Sequence, residues 1–365
     1  MINLQFMPSR RIALYMARLF VTRSLAVLVA LVLVLMTLDL LGESGKILAV
    51  PGNGEAELWR YVSLRIPLLI ARFLPFSVLL GTLIAFVGLN QNSEVVAMKA
   101  AGISAHQLLA PLMLASLGIA AAAFAFNELV VVKSSRMVTA WTDNDYRPVP
   151  PESGIISNVW LLHEGDLIRA RHVGGEGPAF HAEGLTIYDR EENELQRVIH
   201  ADHARPQGDS WRLEDVRIYD SGQNVAVRRP TIQSMHGVSV EQLTLARVDP
   251  DQINYFELRD TIERMEAAGR PTAEARAGLW HKISGPLSTV LMPLLAGIAA
   301  FGLARSGQVL LRAAVGMALG FAYFVADNFS LAMGNVGVYP PLLAAWAPFF
   351  LFLLIGETVL IQTEE

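Results

Sequence analysis

The stretch from Ser93 to Ser104 has residue types and spacing suited to a defined task; it reads Ser-Glu-Val-Val-Ala-Met-Lys-Ala-Ala-Gly-Ile-Ser. Ser93 is placed to begin a compact helix as its N-cap, and Gly102 to stop it. Glu94 falls in the first turn, where a carboxylate complements the helix dipole, and shares a face with Met98 at i,i+4. The residues alone fit two readings equally: a connector lying at an interface, or a coupling helix that plugs into a partner.

Other patterns fail as chemistry. His200-Ala-Asp-His203 has the residue types of a metal cluster, but on a strand His200 and His203 point to opposite faces. They are therefore expected to be polar strand residues, and no metal site is expected. Leu41 to Ile47, Leu-Gly-Glu-Ser-Gly-Lys-Ile, lacks the four-residue spacing of a phosphate loop and the hydroxyl residue after the lysine. No Ser-His-Asp spacing or carboxylate pair stands out. The chain has 0 cysteines, which excludes disulfides, thiolate metal sites and cysteine nucleophiles. No catalytic residue is expected.

A second group of side chains is cationic: Lys46, Arg60, Arg65, Arg72, Lys133, Arg136 and Lys282 cluster in sequence near the ends of apolar stretches. Arg65 and Arg72 are seven residues apart and project from roughly one face of a helix. One reading is snorkelling to ordinary headgroups, or pairing with an acid such as Asp327. The sharper one is a cationic rim that receives phosphates, which arginine matches bidentately. For that rim the candidates are Lys46, Arg65, Arg72, Lys133, Arg136 and Lys282.

The elements that position these residues follow from hydropathy. The chain has 365 residues, 53% hydrophobic and 17% charged, with net charge −5 and mean hydropathy +0.39, a polytopic membrane composition. Apolar stretches near 19–41, 66–89, 108–126, 283–303, 309–331 and 341–361 are long enough to span a bilayer as helices. The first is not a cleaved leader, because Leu38 to Gly42 offers no small-x-small site. Arg10, Arg11, Arg18, Arg23, Lys99, Arg305 and Arg312 mark the cytoplasmic side, so both termini are expected there and the large insert outside. Glu357 and Arg312 fall at similar depth and suggest an ion pair. Gly316 and Gly320 form a small-xxx-small face suited to a contact inside the chain or with a partner.

The insert reads as β. Asn158 to His163 and Asp166 to Val173 flank a Glu-Gly-Asp turn, and Gly184 to Asp189 and Trp211 to Asp220 follow at similar spacing. Short, regularly spaced strands suggest a sandwich or jelly roll. Asp249-Pro250-Asp251-Gln252 looks like a helix start, running to Ala268 with Gly269 as its stop.

With these residues in hand, the chain resembles the lipopolysaccharide export permeases of the LptF/LptG (YjgP/YjgQ) family. Ser93 to Ser104, after a span ending Gly81 to Leu89, resembles the family signature. The likeness extends to Leu279-Trp280-His281-Lys282-Ile283, to Asp327-Asn328 and to Gly337-Val338-Tyr339-Pro340-Pro341. Asn158-Val159-Trp160 and Asp39-Leu40-Leu41 look more like the LptG member than LptF. The resemblance implies six transmembrane helices with an inserted periplasmic β-jelly-roll domain, in the inner membrane of a Gram-negative bacterium. Residues 1–133 would hold helices 1–3 with the coupling helix 93–102; 134–248 the β domain; and 249–365 a connecting helix and helices 4–6. It implies an LptF-like second permease, an LptB-like ATPase dimer, an LptC-like bitopic protein and lipopolysaccharide as cargo. Glu94, Val95, Ala97, Met98, Ala101 and Gly102 match the coupling motif. ATP would be bound by the partner, so no cofactor and no nucleic acid are expected. Thr37 to Glu43 departs from the pattern, carrying acids where the family has lysines.

Two rivals remain on the residues alone. A proton-coupled secondary transporter would show internal repeats with broken midplane helices, and no such repeat is evident. A membrane sensor or assembly scaffold would need a cytoplasmic output domain, and the sequence has no room for one.

Overall fold

The computed structural model describes residues 8–148, 156–175, 180–191, 194–220, 227–244, 248–267, 269–301 and 309–364; Ala268 and Arg305 lie outside them, as does the side chain of Arg312. In chain order the elements are α1 (Arg10–Leu48), α2 (Glu55–Gln91), α3 (Glu94–Ala100), α4 (Ala105–Phe126), a π-turn (Asn127–Val131) and α5 (Val132–Asp143). Six strands follow: β1 (Ile156–His163), β2 (Asp166–Gly174), β3 (His181–Glu191), β4 (Glu194–Gln207), β5 (Ser210–Asp220) and β6 (Val227–Ser234). Then come α6 (Val240–Thr244), a 3₁₀ turn (Pro250–Gln252), α7 (Tyr255–Ala267), α8 (Ala273–Phe301), α9 (Val309–Asn335) and α10 (Pro341–Glu364). Among the described residues, six helices are long and apolar enough to cross a membrane, with α4, the π-turn and α5 forming one of them. The expected class, membrane helices around an inserted antiparallel β domain, is what the chain adopts.

Two compact units form. The helical one comprises residues up to Gly45, Glu55–Ser135 and Pro250–Glu365; the β unit comprises Lys46–Gly54 and Arg136–Asp249.

In the helical unit α8 is central: 72% of its apolar window is buried, against 17% for α1. Small residues let neighbours approach it and one another. Leu109 of α4 packs over Gly297, and Leu294 of α8 over Gly356 of α10. Gly316 and Gly320, whose partner the sequence leaves open, face Leu83 and Leu79 of α2. Their small-residue face is therefore spent on packing within the chain. The backbones of α1 and α2 come close at Gly81, where a Cβ would lie 2.5 Å from the Ser24 Cα and 2.6 Å from its nitrogen.

Helix α7 corrects one expectation. Asp249 and Pro250 begin only a 3₁₀ turn. The helix itself starts at Tyr255, where Asn254 and Glu257 bond reciprocally: the Glu257 amide donates to Asn254 Oδ1 at 2.9 Å and Asn254 Nδ2 to Glu257 Oε2 at 3.2 Å. A two-sided cap outweighs a proline at a first turn. The expected stop holds: Gly269 N–H donates to Glu266 O and Arg270 N–H to Met265 O.

The β unit is an antiparallel meander with strand order β1-β2-β3-β4-β5-β6. Glu164 and Gly165, with φ of 50° and 99°, close the first hairpin as the sequence suggests. The six strands share one irregularity. By register Asn158, Arg171, Gly184, Asp202, Asp215 and Pro230 stand opposite one another, and every ladder skips that row. There the burial pattern slips by one residue: Ile168 and Ala170 then Val173, Ile199 and Ala201 then Ala204, Trp211 and Leu213 then Val216. Gly184 and Asp215 make the slip with φ of 60° and 54°. In β2 to β5 this crease lets both halves of the strand turn their apolar side into one core, sealed where the Trp211 indole N–H donates to Val238 O at 2.8 Å. It also overturns the expectation that His200 and His203 face opposite ways. The slip leaves both off the core side, His200 bonded to Thr186 and His203 opposite Glu183.

Candidate functional site

Helix α3 carries the expected coupling residues on a short helix that is buried on one side and exposed on the other. Its end is built as expected: Gly102, at φ +84°, donates to Lys99 O, and the Ile103 amide donates to Met98 O at 3.1 Å. Only a residue at ease with positive φ closes a helix this way. Its start differs from expectation. Ser93 sits at the N-cap position with φ 59° and makes no side-chain cap bond. The capping serine of this region is Ser104, which exchanges bonds with Gln107 to open α4. The Ser-x-x-Gln spacing was the available signal.

The expected coupling residues Glu94, Val95, Ala97, Met98, Ala101 and Gly102 divide by face. Val95 is buried in the helical core and Met98 packs against it. Ala97, Ala101 and Gly102 are exposed, together with Val96 at 64%. Val96 is an apolar side chain on the open face that the sequence reading passed over. Glu94 does not hang free: the Tyr15 hydroxyl of α1 donates to its Oε2 at 2.9 Å. Thus the segment is anchored by Val95 and Met98, aligned by Tyr15, and open along Val96, Ala97 and Ala101. Nearby elements add a polar pair, His106 Nε2 3.3 Å from Glu357 Oε2.

The cations sort differently from one another. Arg72 and Lys133 are exposed in the helical unit, and Lys46 and Arg136 are exposed in the β unit. Arg65 binds Asp39 through both carboxylate oxygens, at 3.0 and 3.2 Å, and Tyr61 donates to the same carboxylate at 2.7 Å. So the acid that departs from the family pattern serves as a counter-ion, bridging α1 to α2. Tyr61 and Arg65 are one turn apart, which is the signal that could have paired them.

Lys282 departs furthest from a rim position. Its side chain is 4% exposed, and its Nζ lies 3.1 Å from Glu128 Oε1, itself 13% exposed. The other Glu128 oxygen accepts the Tyr255 amide at the start of α7. Glu128 lies in the π-turn, whose wider loop displaces the side chains of one helix onto a new line. Beside it, His281 Nε2 is 3.1 Å from Asp327 Oδ2, tying α8 to α9. Asp327 is therefore partnered, by a histidine and not by Arg65 or Arg72.

The chain is similar to known transport proteins along most of its length. The family model described as lipopolysaccharide export system permease LptF/LptG matches residues 14–362. The lipopolysaccharide export system permease protein LptG of Escherichia coli K12 is 25% identical over 312 residues, covering 83% of this chain and 84% of the relative. The protein of the same name from Haemophilus influenzae is 25% identical over 323 residues, covering 83% and 86%. The matched span takes in the helices and the inserted sheet alike, so the chain belongs to the LptF/LptG family of lipopolysaccharide export system permeases.

Proposed function

We propose that this chain is the LptG-like permease subunit of an ATP-driven exporter that takes lipopolysaccharide from the outer leaflet of the inner membrane and passes it to a periplasmic bridge. In this reading the chain hydrolyses no ATP. An LptB-like ATPase dimer docks on α3 from the cytoplasm, an LptF-like permease completes the cavity, and an LptC-like bitopic protein joins it. Both termini are cytoplasmic and the β unit is periplasmic, where the apolar interior around Trp211 and Leu185 takes up acyl chains. The exposed cations Lys46, Arg72, Lys133 and Arg136 meet cargo phosphates, whereas Arg65 and Lys282 act through the counter-ions they hold.

The observation that carries the ATP-driven reading is α3: a seven-residue helix, firmly seated by Val95, with its apolar outer face uncovered and a carboxylate held at its start. Such a part transmits a push. Reconstitution of the full complex in proteoliposomes, followed by ATP-dependent release of lipopolysaccharide, tests it. Glu94→Ala is expected to reduce release to background while the chain still assembles and keeps its thermal midpoint. Tyr15→Phe removes one hydrogen bond to that carboxylate and is expected to cut release severalfold, at about 1 kcal/mol. Normal export by Glu94→Ala would sink the coupling role.

A further inference from the structure

The side of the sheet turned away from its core carries one register of unusual composition. Trp160, Arg169, Thr186, His200, Arg217 and Arg228 stand opposite one another on six successive strands. No acid belongs to this row. At one end Trp160, 41% exposed, stacks on Tyr188 with ring centroids 6.2 Å apart and planes 9° from parallel. The Arg169 guanidinium carbon sits 5.3 Å from the Trp160 ring centroid. Towards the middle, Thr186 Oγ1 and His200 Nδ1 are 3.1 Å apart. Arg171 comes in from the crease across Gly184, where a Cβ would lie 3.1 Å from its Nε and 3.3 Å from its Cζ. The absence of a side chain at Gly184 is what admits this guanidinium. Asp202, also in the crease, accepts from Arg217 at 2.8 Å and lies 3.5 Å from His200 Nε2. Burial, then the guanidiniums of Arg217 and Arg171, hold the His200 imidazole below its ordinary range against the opposing pull of Asp202. Arg169, Arg171 and Arg217 thus carry the positive charge here, with Asp202 offsetting part of it.

We propose that this face binds the phosphorylated sugar portion of a glycolipid, with the Trp160–Tyr188 pair against a sugar ring and Arg169, Arg171 and Arg217 on its phosphates. The inference rests on the glycolipid reading above and adds a second contact to it, separate from the apolar interior. The chemistry selects the ligand. A flat, half-exposed aromatic surface suits the C–H face of a pyranose, guanidiniums suit phosphate, and neither suits an acyl chain.

The test uses the full chain in nanodiscs and titration calorimetry with lipopolysaccharide stripped of its acyl chains but retaining its phosphates. The wild type is expected to bind it. Arg169→Gln together with Arg217→Gln is expected to weaken binding about tenfold or more. Phosphatase treatment of the glycan should weaken it comparably, and Trp160→Ala should weaken binding of both glycan forms. These positions are exposed or half-exposed, so thermal midpoints should not move. Unchanged binding by the arginine variants overturns the proposal. So does a wild type that binds intact lipopolysaccharide but not the stripped glycan, an outcome that leaves the export reading standing. A wild type that binds neither defeats both.

Discussion

Lys282→Ala is expected to be the most damaging single change in the helical unit, lowering its stability by about 3–5 kcal/mol. Lysine at this position is 4% exposed and neutralises a Glu128 that is 13% exposed. Removing it strands a carboxylate in a medium that solvates charge poorly, and that penalty exceeds the modest worth of the pair itself. Glu128→Ala should do comparable damage by a second route, because the start of α7 also loses the acceptor of its Tyr255 amide. Replacing both charges at once, with Glu128→Gln and Lys282→Met, should recover much of the loss, since the two shapes remain and no lone charge does. Thermal denaturation midpoints in detergent for the three variants check the order: both single variants far below wild type, the double variant between. A Lys282→Ala midpoint equal to wild type would mean that the pair is not the anchor described.

Two identical glycine substitutions in α2 should have opposite signs. Gly81→Ala places a methyl group 2.5 Å from the Ser24 Cα and 2.6 Å from its nitrogen. These are backbone atoms and cannot swing away, so α1 must separate from α2. The expected cost is about 1–3 kcal/mol of overpacking. Because the Tyr15–Glu94 and Asp39–Arg65 contacts lie on the same helix α1, one towards each end, displacement at Ser24 should weaken them too. Gly88→Ala, seven residues on in the same helix, meets nothing within 4 Å. It should be neutral or stabilising by up to about 1 kcal/mol, from helix propensity alone. Midpoints for the two variants, with disulfide trapping between cysteines introduced on α1 and α2, check both the signs and the cause.

Much of the frame could be read from the chain because it depends on local quantities. About 20 apolar residues mark a span whatever they pack against, and a Glu-Gly turn closes a hairpin by its own dihedral angles. Gly102 and Gly269 announce helix ends for the same reason. What escaped was the pairing of charges. Tyr15 and Glu94 are 79 residues apart, and Arg65 and Asp39 are 26 apart. Nothing local says that these side chains meet. Lys282 shows the limit most clearly: its place before an apolar run suggests an interfacial cation. Its acid, 154 residues away, reaches it from a π-turn that no hydrophobic period discloses. His200 and His203 misled for a different reason. Strict alternation holds only within a regular strand, and the skipped row at Asp202 falls between them.

That skipped row also constrains how the β unit can change over time. Six strands skip one shared register, so no strand can move its break alone. A residue inserted in β4 ahead of Asp202 would carry the break past Gly184 on one side and Asp215 on the other, and turn part of that strand's apolar set to water. Length can vary freely only where the count restarts, in turns such as Glu164–Gly165 and Gly208–Asp209. The row acts as a common tally mark that keeps six strands in step, and insertions within the strands of this domain will be tolerated only in concert.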